Sequence, residues 1–203
     1  GGFYDTEIYV HEARMWGANI HPPCVNTSTY LTRIIGKDIY LGFIHLKDLQ
    51  KKLATGIEAE RERRGPFTDM ADFVRRTFIK AEQLIILIRI GAFRFTGSKK
   101  PSLLWEMRLY TRRVYKEQAD VLFPPDMPDY TLPILETSPL EDAYDEMELL
   151  GFPLASPFSL LGILPEEINL VVAKDFPRYE GQIVHILGYY VCVKTTRTIK
   201  GDL

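Results

Sequence analysis

The sequence predicts a mainly α-helical protein with two consecutive helix–turn–helix units near its middle. Apolar residues recur at helical spacing between Leu41 and Gly97. Glycine or proline stands where predicted helices end, as at Gly65-Pro66 and Gly91. Strand-like patterns are confined to residues 30–44 and to the C-terminal run from 181 to 203. Helices should therefore form the body of the fold.

The N-terminal segment predicts one helix followed by a short β-hairpin. Residues 4–16 place apolar side chains near helical spacing, and Gly17 suits the position just after a helix. The runs YLTRII at 30–35 and IYLGFI at 39–44 flank Gly36-Lys37-Asp38, which is typical of a hairpin turn.

Each helix–turn–helix unit is predicted from an apolar stripe interrupted by a short turn. In the first unit, a helix should end near His45, and a turn at 46–50 should lead into a helix over 51–64. In the second unit, a helix capped by Thr68 should run to about Arg76, and a turn at 78–80 should lead into a helix over 81–90. Two further helices are expected after these units, over about 102–118 and over 139–150, and Gly151 should end the second of them.

Charge is distributed unevenly along a chain whose net charge is only −2. Residues 47–116 contain 17 Lys and Arg against 8 Asp and Glu, whereas residues 117–180 contain 2 against 14. A local positive excess of this size can attract a polyanion such as nucleic acid. Alternatively, the basic helices face the acidic part of the same fold. Both interpretations are open at this stage.

Composition argues against a membrane partner and against a disulfide-stabilised protein. No apolar run reaches the roughly 18 residues that span a bilayer. The N-terminal residues show no signal peptide pattern. Cys24 and Cys192 are the only cysteines and give no disulfide framework, so we expect a cytoplasmic protein.

We predict no catalytic residue and no metal ligand in this chain. His21-x-x-Cys24 with His11 falls short of the four ligands that zinc usually takes. Ser138 and Glu141 form a capping box that opens an acidic helix. We expect the carboxylates of that helix to form a solvated face: Asp142, Asp145, Glu146 and Glu148.

Five segments together carry a resemblance to a known family. LGFIHLK at 41–47, ERERRGPF at 60–67 and LIRIGAF at 87–93 resemble the tandem helix-hairpin-helix region of the bacterial replicative DNA polymerase III alpha subunit. Upstream, residues 9–30 resemble the end of that family's fingers region. Downstream, ELLGFPL at 148–154 resembles the segment ahead of its oligonucleotide-binding (OB) fold.

The resemblance implies four consecutive regions. Residues 1–35 would be the end of the fingers, and residues 36–97 the tandem helix-hairpin-helix domain. Residues 98–180 would connect this domain to an OB-like β segment at 181–203, which supplies only the first strand or two of a five-stranded fold.

A tandem helix-hairpin-helix domain implies sequence-independent binding to the backbone of duplex DNA, here a template–primer. Its turns present backbone N–H groups to phosphates, and nearby cations add salt-sensitive attraction. Asp48 and Gln50 stand where the family has glycines in the first turn. The cations that we predict to contact DNA are Lys47, Lys51, Lys52 and Lys80.

The segment 118–123 resembles the peptide by which bacterial polymerases hold the sliding clamp. The predicted clamp-binding residues are Gln118, Asp120, Leu122 and Phe123. The two apolar side chains would fill a pocket on the clamp, and the glutamine would hydrogen-bond at its rim. The alternative is that the apolar pair packs into this chain's own core.

The resemblance also sets expectations about activity and partners. The parent polymerase adds deoxynucleotides using Mg²⁺ ions held by carboxylates, and those carboxylates lie outside these residues, so no cofactor is expected in this fragment. Its partners would be the rest of the polymerase chain and the holoenzyme at the bacterial nucleoid. Main replicase and error-prone relative are equally compatible with these motifs. The alternative from another class is a non-catalytic helical protein-interaction module that does not bind DNA.

Overall fold

The computed structural model describes residues 4–117, 138–155, 158, 161 and 170–188. The chain divides into two compact units, residues 1–154 and 155–203. Six α-helices and one three-stranded sheet are present in the described part of the first unit. The predicted mainly α class is therefore confirmed.

The N-terminal part of the first unit contains helix α1 and a small sheet. Helix α1, Thr6–Met15, ends before Gly17, whose φ of +81° suits glycine. Strands β1 (Asn19–His21), β2 (Arg33–Ile35) and β3 (Asp38–Tyr40) follow. Their order is β1-β3-β2, with β1 parallel and β2 antiparallel to β3. The predicted hairpin is confirmed with shorter strands, and β1 was not predicted.

The first helix–turn–helix unit departs from its predicted form. Its leading segment is a 3-10 helix at Phe43–His45, whereas its second helix, α2, spans Lys51–Arg64 as expected. The predicted leading α-helix is wrong because the backbone there serves another element. The amide of Phe43 donates to the carbonyl of Thr29 at 3.0 Å. A Cβ on Gly42 would lie 2.4 Å from the backbone of Leu31, so this close approach requires glycine.

The second unit has the predicted pair of α-helices. Helix α3, Met70–Thr77, begins at Asp69, whose carboxylate accepts a hydrogen bond from the amide of Asp72 at 2.7 Å. Helix α4, Ala81–Arg89, ends just before Gly91, which has φ +72°.

Two further helices complete this unit of the fold. Helix α5 spans Lys100–Glu117 and packs against α3 and α4. Helix α6 spans Pro139–Leu149 and is capped by the Ser138 hydroxyl, which accepts from the amide of Leu140 at 3.2 Å. Gly151, with φ +95°, follows its end as the sequence predicts.

Aromatic packing forms the centre of the core. Phe73 meets Phe67 and Phe93 edge to face, with ring centroids 4.9 and 5.1 Å away. Burying one such side chain contributes on the order of 1.5–3 kcal/mol. Other large, fully buried side chains include members of both helix–turn–helix units: Phe43, Ile57, Leu84, Leu87 and Ile88. The core therefore includes side chains from both α2 and α4.

The acidic face of α6 is not simply solvated. Arg89 Nε lies 2.7 Å from Asp145 Oδ1, and Lys100 Nζ lies 2.6 Å from Asp142 Oδ1. Glu148 also pairs with Arg89 at 2.5 Å and, with Asp145, raises the pKa of that guanidinium. Asp142 and Glu148 are exposed, as a solvated face predicts, whereas Asp145 and Glu146 are partly buried. The expectation is therefore confirmed in part, and the ion pairs neutralise some of the basic excess within the fold.

The described part of the second compact unit contains little regular structure. It holds a 3-10 helix at Ala173–Tyr179 and an isolated parallel bridge between Leu170 and His185. Residues 189–203 lie outside the described residues. The start of an OB-like fold therefore stays a prediction. Within the described stretches, no helix has the length and apolar character to cross a membrane.

Candidate nucleic-acid interface

The turns before α2 and α4 follow the same backbone path. Asp48 lies three residues before the start of α2, and Phe78 lies three residues before the start of α4. Their φ angles are +62° and +50°, and no other non-glycine residue in the described part of the chain has a positive φ. The two turns are therefore structurally equivalent.

The next two positions of the turns also correspond. Leu49 and Ile79 are apolar and pack into the shared core. Gln50 and Lys80 have extended backbones at the helix N-terminus, and neither side chain caps its helix. The sequence matched Asp48 and Gln50 to family glycines. In the structure Phe78 takes the position in the second turn that Asp48 takes in the first, and Phe78 was not among the predicted site residues.

A glutamine from the second unit occupies the first turn. The amide of Gln50 donates to Gln83 Oε1 at 2.8 Å, and Gln83 Nε2 donates to the carbonyl of Asp48 at 2.9 Å. Among the described residues, no side chain makes an equivalent contact with the backbone of Lys80. The backbone donor of the first turn is thus already hydrogen-bonded, which distinguishes it from the second turn.

A cleft of about 400 Å³ lies between α2 and the second turn. Lys52 of α2 and Lys80 of the second turn both line it. Its other lining residues include Gln50, Gly56, Phe78 and Gln83. The cleft therefore lies directly beside the paired helix N-termini and carries positive charge.

The structure brings together two of the four predicted DNA-binding lysines. All four are exposed, but only Lys52 and Lys80 line the cleft. Lys51 Nζ lies 5.1 Å from the ring centroid of Tyr30, a cation–π contact. Lys47 lies near Gly151, beyond the end of α6. We therefore treat Lys52 and Lys80 as the centre of the candidate interface.

Arg76 also lines the cleft, but its side chain is held by contacts within the fold. Its side chain is 9% exposed and lies 4.2 Å above the ring of Phe67. It contacts Glu60 Oε1 at 3.2 Å and Asp72 Oδ2 at 3.1 Å. It also donates to the carbonyls of Glu60 and Gly65, each at 2.9 Å. Not every basic residue in this region is thus available to a ligand, and sequence spacing alone gave no sign of this.

Other predicted site residues receive no structural description. The clamp-binding residues, Gln118, Asp120, Leu122 and Phe123, lie outside the described residues and stay predictions. Over the ranges that the structure describes, no group of three or more His, Cys, Asp or Glu side chains is placed to hold a metal ion. His21 instead contacts Asp38 at 2.8 Å and stacks on Tyr40.

Similarity to known proteins covers the region that contains both turns. Residues 17–103 match the helix-hairpin-helix motif family. The error-prone DNA polymerase of Mycobacterium bovis is 33% identical over 106 residues, which cover 51% of this chain and 10% of that protein. The DNA polymerase III subunit alpha of Thermus aquaticus is 32% identical over 107 residues, covering 48% of this chain and 9% of the relative.

A longer match reaches beyond the turns. The DNA polymerase III subunit alpha of Treponema pallidum is 29% identical over 159 residues, which cover 71% of this chain and 14% of that protein. The chain thus spans about a tenth of the length of the curated relatives that it matches. The resemblance to bacterial polymerase III alpha subunits that the sequence predicts is confirmed.

Proposed function

We propose that this chain is a segment of a bacterial DNA polymerase III alpha subunit, or of an error-prone relative, that binds template–primer duplex through its paired turns. One observation carries the proposal. Two turns have equivalent backbone geometry, and Lys52 and Lys80 both line the cleft between α2 and the second turn. The binding would be to the DNA backbone and indifferent to base sequence.

The physical basis is the charge that gathers at this face. The N-termini of α2 and α4 carry partial positive charge, and their first amides point away from the helix. Phosphate oxygens accept hydrogen bonds from such amides. Lys52 and Lys80 add attraction that weakens as salt rises, because binding releases counterions from the DNA.

The two turns would contribute differently. Gln83 already accepts the hydrogen bond of the Gln50 amide at 2.8 Å. A phosphate would have to displace Gln83 to reach that donor. We therefore assign the direct backbone contact to the second turn at Lys80, while the first hairpin contributes the side chain of Lys52.

Duplex binding measured against salt tests the proposal. Fluorescence anisotropy with a blunt duplex would compare the wild type with the double variant Lys52→Glu plus Lys80→Glu. Loss of two phosphate contacts should weaken binding and reduce the slope of log K against log salt by about 2. Lys37→Glu, a charge reversal on an exposed residue between β2 and β3, is the matched control and should change the slope little. An unchanged slope in the double variant would remove this face as the DNA contact.

A protein-interaction module that does not bind DNA is the second candidate. It is favoured by the pairing of Arg89 and Lys100 with Asp142, Asp145 and Glu148 of α6. That pairing uses basic residues within the fold rather than on a ligand. This candidate predicts no salt-dependent duplex affinity above background in the same titration.

We also propose that residues 118–123 bind the sliding clamp. Support comes from the peptide pattern, with Gln118 and Asp120 ahead of the apolar pair Leu122 and Phe123. The double variant Leu122→Ala plus Phe123→Ala should abolish capture on immobilised clamp. Leu132→Ala plus Ile134→Ala, an apolar pair just downstream, is the control and should leave capture intact. Equal capture by both variants would reject the motif.

We propose further that the chain by itself is not catalytic. Template-directed synthesis and its Mg²⁺ would belong to carboxylates elsewhere in the parent polymerase, acting with the rest of the chain and the holoenzyme at the nucleoid. A primer-extension assay with the purified 203-residue chain and Mg²⁺ should give no product. Any extension that survives removal of contaminating polymerases would overturn this statement.

A further inference from the structure

We propose that the cleft between α2 and the second turn holds an unpaired nucleotide of single-stranded DNA, with Phe78 stacking on its base. This rests on the proposed function in one respect only, namely that the same face meets DNA. It adds a ligand class, single-stranded DNA, and a specificity-determining residue that backbone binding does not need.

Phe78 is an unusual residue for its position. A left-handed backbone costs a residue with a side chain roughly 1–2 kcal/mol, and bulky residues are rarely found there. The equivalent Asp48 belongs to a type that tolerates this conformation far better. The Phe78 side chain is also 71% exposed, so burial does not offset that cost. Phe78 is the C-terminal cap of α3, and its amide donates to the carbonyl of Val74, but glycine or asparagine is the usual residue at such a cap. Neither capping nor packing therefore requires an exposed aromatic ring here, whereas contact with a ligand would.

The surroundings of Phe78 suit a nucleotide. Lys80 follows two residues later, and Lys52 lines the cleft from the other side. The one carboxylate in the lining, Glu60, is paired with Arg63 and Arg76. The lining therefore combines an exposed aromatic side chain with two exposed cations. Its volume of about 400 Å³ lies within the range typical of small-ligand sites.

These are the features by which proteins bind single-stranded DNA without sequence preference. Bases stack on exposed aromatic rings while cations follow the phosphates. A duplex keeps its bases inside the stack, so an intact duplex offers Phe78 no base face. The cleft should therefore favour single-stranded DNA, including the overhang next to a duplex end, over a blunt duplex. The other occupant, an apolar protein side chain, would not need the two lysines.

Two DNA probes separate base stacking from backbone binding. Anisotropy with an oligo-dT strand and with a blunt duplex would compare the wild type, Phe78→Ala and Phe78→Trp. We expect Phe78→Ala to weaken oligo-dT binding about tenfold, within the range for loss of one base–aromatic stack, and to change duplex binding less than twofold. Phe78→Trp should retain oligo-dT binding. Ile44→Ala, which removes an exposed apolar side chain outside the cleft lining, should change neither.

A spectroscopic readout tests the stack itself. A strand carrying 2-aminopurine should lose fluorescence on binding to the wild type and to Phe78→Trp, and should lose less when it is saturated with Phe78→Ala. Because Phe78 is exposed, its replacement should leave folding intact, and urea unfolding would verify this. A loss of fluorescence with Phe78→Ala as large as with the wild type would overturn the inference.

The possible failures are distinguishable. If Phe78→Ala leaves oligo-dT binding unchanged, or weakens both probes equally, the inference is overturned while duplex binding through Lys52 and Lys80 can stand. If oligo-dT binds in a Phe78-dependent manner but duplex does not bind, the inference stands and the proposed function fails. If neither DNA binds above background, both are overturned.

Discussion

The turn before α2 and the turn before α4 share one backbone path and differ in what surrounds it. Asp48 and Phe78 take the same left-handed conformation. Gln83 closes the first turn with two hydrogen bonds, whereas the second turn carries an exposed ring beside an exposed lysine. The difference teaches that helix–turn–helix packing sets the backbone, and that side-chain contacts then decide which turn is open to a ligand.

The two turns are also anchored by different means. The first is preceded by a 3-10 helix at Phe43–His45, held against the backbone of the segment around Tyr30. The second is preceded by α3, which Arg76 ties to the end of α2. Each anchor can be removed separately, so the contrast between the turns can be tested by substitution.

The largest effect is expected at the anchor of the second turn. Arg76→Ala should lower the free energy of unfolding by about 3–5 kcal/mol, because it removes one partner of a largely buried charge network around Glu60 and Asp72. Urea unfolding followed by circular dichroism measures this change. Arg75→Ala, whose side chain is 71% exposed, should cost less than about 1 kcal/mol. Equal losses in the two variants would contradict the structural role of Arg76.

The next effect concerns the closure of the first turn. Gln83→Ala removes two hydrogen bonds to the backbone of Asp48 and Gln50, and should destabilise the fold by about 1–2 kcal/mol. Duplex affinity should stay equal or rise, because the amide of Gln50 becomes available. Glu82→Ala, an exposed neighbour in the first turn of α4, is the control. A fall in duplex affinity at unchanged stability would show that Gln83 itself contacts DNA.

A smaller effect of opposite sign is expected from relieving backbone strain. Phe78→Gly should stabilise the fold by about 0.5–1 kcal/mol, because relief of the left-handed conformation exceeds the added entropy of glycine when unfolded. Asp48→Gly should gain less, since aspartate tolerates this conformation better. Phe78→Ala keeps the strain and serves as the control in thermal unfolding. If Asp48→Gly gained more than Phe78→Gly, the strain would lie in the first turn instead.

The smallest effect is a pH dependence confined to the first turn. Burial lowers the pKa of His45, which lies 2.8 Å from the Thr32 hydroxyl. The unfolded chain therefore binds a proton at a higher pH than the folded chain does. His45 contributes stability that is fully present above its unfolded pKa of about 6.5 and is lost as pH falls toward its lowered folded pKa. Stability measured from pH 7.5 to 5.5 should fall less in His45→Gln than in the wild type. Identical slopes would contradict this contribution.

The sequence predicted the helices better than the short elements. Helix α2 was predicted residue for residue at Lys51–Arg64, because a glycine and an apolar stripe mark its limits. Strand β1, Asn19–His21, was missed because three residues carry no periodicity. The leading helix of the first unit was predicted wrongly, because its amides bond to the distant segment around Thr29.

The candidate site was predicted only in part. Lys52 and Lys80 were named from charge and position, and they do line one cleft. Phe78 was missed, although its spacing of three residues from α4 repeats that of Asp48 from α2. The structural role of Arg76 could not be read from the sequence, since its partners include carbonyl groups that every residue possesses.

The sequence by itself determined the helical class, the helix ends and the resemblance to a polymerase segment, because periodicity and turn residues act over short stretches of chain. Only the tertiary structure decided which charges are free. Arg89 and Lys100 are paired with α6, and Arg76 is nearly buried, whereas Lys52 and Lys80 face one cleft. The physical reason is that pairing depends on which distant residues the core brings together, and this separates the open second turn from the closed first one.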